Sequence, residues 1–344
     1  MASDQVLSLE VVTADGRFVT ASPTQNTDLF WALRGGGGST FGVVTSAIVR
    51  VYPILPVVTS SFSFNSSQPG ITPDIFWAGV RTYVERMPAL ADAGTYSYFW
   101  VYNRSGVFVF EMRPLFAPNH TLSSFTALSK PLFDDLHALG IRITPNNTYH
   151  SDYLPAYDAW WGKANAAESV GGVRSISGSR IFPRSNWASV SSLNTTIAAM
   201  RHHSEVGKTF GGYHLSPRLR VGPESAVNPA FRRAAMFLIT MVPVPENATP
   251  AQLADSSRNL GDGLAAWRAV SEKEGGSYLN EAHVMEPDWQ QSFYGENYER
   301  LLAVKRKWDP KGVFYAWTGV GSEEWEIRDG NVGFQTQDGR LCRR

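Results

Sequence analysis

The stretch that most limits what this chain can fold into is residues 275–325, GGSYLNEAHVMEPDWQQSFYGENYERLLAVKRKWDPKGVFYAWTGVGSEEW. Its first piece, SYLN, reads as a strand. Tyr278 and Asn280, two residues apart, then emerge on one face, a phenol beside an amide. The acid-and-aromatic run EPDWQQSFYG reads as a loop. NYERLLAVKRKWDP reads as a helix on which Tyr298, Leu301, Leu302, Lys305 and Trp308 fall on one face at spacings of three and four. Pro310 and Gly312 give it a sharp stop.

The rest of the chain supplies what that stretch packs against. VLSLEVVTADGRFVTAS alternates apolar and polar residues about Asp15-Gly16, a strong hairpin signal. A short helix, DLFWALR, follows, with Asn26, Thr27 or Asp28 placed to cap its start and Gly35–Gly38 ending it. FGVVTSAIVRVYP reads as a β-branched strand bounded by Pro53. On their own the four glycines are most simply a helix C-cap and a turn. They run from helix into strand, the reverse of a Rossmann dinucleotide loop.

From about residue 54 the pattern is mixed. SSFSF is a strand, and ITPDIFWAGVRTYVERMPAL an amphipathic helix opened by Thr72 or Pro73. Two long aromatic strands meet near Arg104-Ser105-Gly106, and a further helix is interrupted or restarted at Pro131. Residues 145–214 look irregular apart from a helix around NTTIAAMRHHSEV. AAMFLITMVPVP is a buried-type strand, and a long helix follows from Ala248. Strands flanked by helices at this spacing imply an α+β layer, an antiparallel sheet with helices on one face.

Composition narrows the function. The 344 residues are 43% hydrophobic and 12% aromatic, enough for a large core or two lobes. Charged residues make up 18%, with zero formal net charge and no run of one sign, which argues against a nucleic-acid partner. No apolar run is long enough for a membrane helix. Cys342 is the only cysteine, so no intrachain disulfide forms. The start, MASDQVLSLEVV, does not read as a signal peptide. Six N-x-S/T sequons, at Asn65, Asn103, Asn119, Asn146, Asn194 and Asn247, nevertheless suggest a secreted glycoprotein. The adjacent His202-His203 and the pair Asp134-Asp135 read as solvated helix faces. Tyr153, Tyr157, Trp160 and Trp161 suit either a pocket for an apolar or sugar substrate or plain core packing.

Three segments carry a family resemblance: Tyr278-Leu279-Asn280, then Tyr294 to Leu301 (YGENYERL), then Lys307-Trp308-Asp309-Pro310, to which LFWALRGGGGSTFGVVTSAIVRVYP adds a second signature. The chain resembles the berberine bridge enzyme-like FAD-linked oxidoreductases, of the vanillyl-alcohol-oxidase (VAO) fold with a PCMH-type FAD-binding lobe. The resemblance covers nearly all of this chain but only the later portion of the family's length. It implies part of an FAD lobe at 1–53, a substrate domain at 54–277 and a returning C-terminal segment at 278–344. By the same token the family's pyrophosphate loop and covalent flavin anchor belong to an earlier subdomain, to be supplied by that missing N-terminal part or by a complementing chain. FAD is the implied cofactor, with Gly38, Gly42, Val43, Val44, Asn297 and Tyr298 near it. Tyr278 and Asn280 are the implied catalytic or substrate-positioning pair, with Glu281 and His283 ranked below them. Spacing alone would make Tyr278 and Asn280 an ordinary half-buried pair. The implied reaction removes a hydride from an alcohol, sugar or amine carbon of a small molecule, with oxygen as acceptor. The alternatives are a non-catalytic binding or complementing protein, and a lyase or cyclase working in the same pocket without redox change.

Overall fold

The computed structural model describes residues 1–38, 40–162, 175–217, 222–330 and 339–344. Part of the irregular stretch expected over 145–214, residues 163–174, lies outside them. Strands β1 (Val6–Val12), β2 (Phe18–Ala21) and β3 (Val43–Val49) form a small antiparallel sheet in the order β2-β1-β3, with helix α1 (Thr27–Leu33) between β2 and β3. The β1–β2 hairpin turns at Gly16, whose φ of +82° is one that glycine adopts without strain.

The chain then runs through β4 (Val57–Asn65), α2 (Pro73–Asp92), β5 (Tyr96–Arg104), β6 (Val107–Pro118), α3 (Leu122–Ala138), β7 (Asn146–His150), α4 (Tyr153–Trp161), β8 (Ser175–Pro183), α5 (Val190–Glu205), β9 (Phe210–His214), α6 (Ala230–Arg233), β10 (Ala234–Pro243) and α7 (Pro250–Ser271). Its strands make one antiparallel sheet, ordered β7-β4-β6-β5-β9-β10-β8. The strand period of two sorts the side chains of β5. Phe99 and Val101 enter a core with α2, α3, α5 and α7, while Tyr96, Tyr98, Trp100 and Tyr102 stand half-buried on the other face. That second face is covered in part by α4 and by residues 276–281.

The chain then returns to its beginning. Helices α8 (Trp289–Tyr294) and α9 (Tyr298–Trp308) share a core with Leu9, Val11, Phe30, Trp31 and Phe41. Two short strands, β11 (Trp325–Arg328) and β12 (Arg340–Arg343), pair near the end. The five residues assigned to the apolar face of α9 are all buried, Lys305 included. Lys305 Nζ donates to Thr40 O (2.7 Å), Phe314 O (2.6 Å) and Asp309 Oδ2 (2.6 Å), so this cation fastens α9 to the glycine loop.

Five expectations need correction. The stretch 145–214, expected to be irregular apart from one helix, also forms β7, α4, β8 and β9, whose strands pair into the large sheet. SYLN is not a strand: Leu279–Glu281 is a 3₁₀ turn, closed by Glu281 N donating to Tyr278 O at 2.9 Å. EPDWQQSFYG is not all loop, because burial of Phe293 and Tyr294 winds α8. Helix α3 passes through Pro131 unbroken. His203 is not solvated; it is buried, stacked 4.2 Å from Trp267, with its ring nitrogens bonded to Thr240 Oγ1 and Gly263 O.

Candidate active site

A cavity of about 510 Å³ lies where the small sheet, the large sheet and the returning segment meet. One wall is nearly bare backbone. Gly35, at φ +129°, runs so close to residues 226–227 that a Cβ would sit 2.3 Å from Val227 N. At Gly42 a Cβ would meet Val11 Cγ1 at 2.6 Å, so glycine is what lets the start of β3 cross β1. A Cβ on Gly38, by contrast, would meet nothing within 4 Å, so the chain here presents peptide rather than side chain. Thr40 Oγ1 donates to Gly38 O at 2.9 Å and steadies the loop.

Tyr278 and Asn280 form another wall. Residues 276–278 lie alongside β8: Ile181 N donates to Gly276 O (2.8 Å), and Ser277 Oγ to Ser179 O (2.6 Å). This fixes the Tyr278 ring edge-on to Phe231 (5.7 Å) and Phe237 (6.3 Å). The turn that follows brings Asn280 back, and its Nδ2 donates to the Tyr278 hydroxyl at 2.9 Å. Behind the turn, buried Glu286 binds Arg180 (2.9 Å) and Arg268 (3.0 Å), tying the returning segment to β8 and α7.

Gly38, Gly42, Val43, Val44, Tyr278 and Asn280 therefore line one cavity. Asn297 and Tyr298 do not. Asn297 Nδ2 donates to Val227 O (3.0 Å), one layer behind the wall, and Tyr298 is core, its hydroxyl bonded to Glu323 at 2.5 Å. His283 is also away from the cavity, buried against Ser257 Oγ at 2.8 Å. Glu281 stays near the phenols. Burial holds the Tyr96 and Tyr213 hydroxyls above their usual range, and the Glu281 carboxylate pushes both the same way.

The sequence reading did not pick out Phe231, Phe314, Asn228 or Tyr213. Asn228 and Phe314 are single residues in irregular stretches and Phe231 sits in the four-residue α6, too short for a periodic signal, whereas Tyr213 follows the glycine pair inside β9 and was within reach. The cavity's apolar walls with a few polar groups at the edge suit a flat heterocycle with polar rims.

Comparison with known proteins places the chain among flavoproteins. Residues 277–321 match the family model described as "Berberine and berberine like". The chain is 34% identical over 344 residues to the FAD-linked oxidoreductase patO of Penicillium expansum, covering 99% of this chain and 57% of that protein. It is 33% identical to the VAO-type flavoprotein oxidase VAO615 of Thermothelomyces thermophilus, covering 100% of this chain and 57% of that protein. The crystal structure of the VAO-type flavoprotein MtVAO615 from Myceliophthora thermophila C1 superposes with a TM-score of 0.88 at 31% identity, over 100% of this chain and 60% of that one. The chain thus spans under two thirds of the length of these relatives.

Proposed function

We propose that this chain, which belongs to the berberine bridge enzyme-like, VAO-type FAD-linked oxidoreductases, forms the substrate-facing portion of an oxidase that takes a hydride from an alcohol, sugar or amine carbon of a small molecule. The observation that carries this reading is the Tyr278 hydroxyl, held by the Asn280 amide at 2.9 Å, lining the same cavity as the bare backbone of Gly38.

The residues present would hold a flavin ring: the bare backbone at Gly38, the apolar side chains of Val43, Val44 and Phe314 and the amides of Asn228 and Asn280 line one cavity. Bound FAD supplies the acceptor for the hydride. The protein's own part is to place the substrate and take a proton. A substrate hydroxyl or amine within hydrogen-bond reach of Tyr278 gives its proton to the ionised, phenolate form of that side chain, which becomes the neutral phenol as the carbon is oxidised. The Asn280 amide already donates to Oη and favours the charge that oxygen carries when it acts as base. Phe231 and Phe237 meet the ring edge-on and hold its orientation, which is the preorganisation such a transfer needs. Oxygen is the proposed final acceptor.

A second reading, a chain completed by another polypeptide, is favoured by β3. This edge strand is exposed along all seven residues, with Val43, Val44, Ile48 and Val49 uncovered. Such an edge suits a partner strand, here the earlier FAD subdomain. A secreted setting is supported by the exposure of Asn119, Asn146, Asn194 and Asn247, and a mass shift on glycosidase treatment of the protein from its natural source tests it.

The deciding experiment is to incubate the purified chain with FAD, pass it through gel filtration and record its absorption. A flavin band travelling with the protein supports the first reading. A folded, colourless protein that gains the band only after an earlier FAD subdomain from a relative is added supports the second, and one that stays colourless overturns both.

A further inference from the structure

Trp289 opens α8, Tyr294 closes it and Tyr298 opens α9, and Gly295, at φ +57°, turns the chain between the two helices. That turn gathers three rings. The centroids of Tyr294 and Tyr298 are 5.6 Å apart, those of Tyr298 and Trp289 5.5 Å, and those of Trp289 and Tyr294 6.2 Å. The group reaches from the cavity to the surface. Tyr294 lines the cavity, its hydroxyl 3.3 Å from where a Cβ on Gly37 would stand; Tyr298 is buried and Trp289 half-buried. Phenols and indoles are the side chains that give up a single electron, and rings this close pass one directly.

The two phenols differ in what receives their protons. Tyr294 Oη donates to Thr318 O at 2.9 Å, and a peptide carbonyl is no base. Tyr298 Oη lies 2.5 and 2.6 Å from the two carboxylate oxygens of Glu323 and accepts from Gly321 N at 3.3 Å. Burial holds the Tyr298 phenol protonated well above its usual range, and the bond to Glu323 adds to that. A phenol that loses an electron becomes a strong acid, and a positive charge left in this core would be costly. At Tyr298 the carboxylate takes the proton as the electron leaves, so no charge is added to the pair.

We propose that Trp289, Tyr298 and Tyr294 form an electron relay from the surface to the cavity, with Glu323 as the proton acceptor of Tyr298, and that it clears one-electron oxidants formed in the cavity. The oxidant is a radical derived from oxygen or peroxide; a hydroxyl radical, for instance, takes one electron from Tyr294 and one proton from water and becomes water. Tyr298 returns the electron to Tyr294 and passes its own proton to Glu323. Trp289 then reduces Tyr298, which takes that proton back, and Trp289 loses its indole proton to solvent. A thiol in solution restores the indole by giving it an electron and a proton.

The relay rests on the reading that oxygen is reduced in this cavity, and its test uses no flavin. Pulse radiolysis of the flavin-free full chain in azide makes azidyl radicals, which take electrons from tryptophans and become azide. Indolyl absorption should then give way to tyrosyl absorption at a rate independent of protein concentration. The chain has 11 tryptophans, so each variant is read as its difference from wild type. Trp289→Phe and Tyr298→Phe should each remove the same kinetic phase. Tyr294→Phe should leave that phase in place, since Tyr294 lies on the cavity side of Tyr298. Glu323→Gln, which keeps an acceptor but no base, should slow it about tenfold or more. The unfolding midpoint checks that each variant keeps the fold; should Tyr298→Phe not fold, Trp289→Phe and Glu323→Gln carry the test. A phase that survives Trp289→Phe or Tyr298→Phe overturns the relay. An unchanged rate in Glu323→Gln overturns the carboxylate's role, and loss of the phase in Tyr294→Phe overturns the order of transfer. Transfer in a chain that never takes up FAD removes the oxidase reading and leaves the relay standing, whereas a chain that takes up FAD and shows no such phase does the reverse.

Discussion

Tyr278 and Asn280 reach each other by a route that differs from the one their spacing suggests. A strand would have set them side by side on one face; here Tyr278 is extended and a 3₁₀ turn swings Asn280 back to its hydroxyl. The residues were legible and the geometry was not, because the turn is fixed by pairing with Ser179 and Ile181, about a hundred positions away. Tyr278→Phe should lower turnover about a hundredfold while leaving the unfolding midpoint within a degree or two, measured by steady-state oxidase assay and thermal melt. Unchanged turnover would remove the phenol from the mechanism. The buried histidines carry a different expectation. Burial lowers His203 to about 4 and His214 to about 3, so both stay neutral in the fold and take up protons on unfolding. Their contribution is complete above the unfolded value of about 6.5 and is lost as pH falls toward the folded values. Urea unfolding at pH 7 should therefore give a free energy about 3 kcal/mol above that at pH 5. Equal values would show that the imidazoles are solvated.

Among the elements, α9 was the most readable and still hid its main feature. Its spacing placed Lys305 within an apolar face, which was the clue to a buried cation. Its acceptors, however, are carbonyls of Thr40 and Phe314, and backbone partners leave no trace in side-chain pattern. Lys305→Met should destabilise the protein by about 3–5 kcal/mol, because Asp309 keeps a buried carboxylate with its cation gone. Lys305→Met with Asp309→Asn should recover part of that loss. Denaturant melts of the two proteins decide it, and equal midpoints for wild type and Lys305→Met would make the clip incidental. Helices α2 and α3 show the opposite case, since each carries a proline within its span and runs on. Local propensity argued for a break at Pro131, and packing of Phe125, Leu132 and Leu136 into the large core prevailed.

At the scale of the molecule, the layered sheet and the meeting of the two ends were both legible. Strands flanked by helices at regular spacing announced a sheet with helices on one face, and the family signatures linked the first segment to the last. The exposure of β3 was not legible, since a β-branched strand reads as buried whether or not a neighbour covers it. An uncovered apolar edge favours self-association. Ile48→Lys should raise the concentration at which light scattering reports a single small species, with no change in melting temperature; if scattering does not change, the edge is already protected. The clip between Lys305 and Thr40 joins positions 265 residues apart. On the ribosome, then, the opening strands emerge long before α8 and α9 exist, while the large sheet draws on partners nearer in sequence and has no need to wait. Strands β1 to β3 are thus made well before the helices that hold them in place.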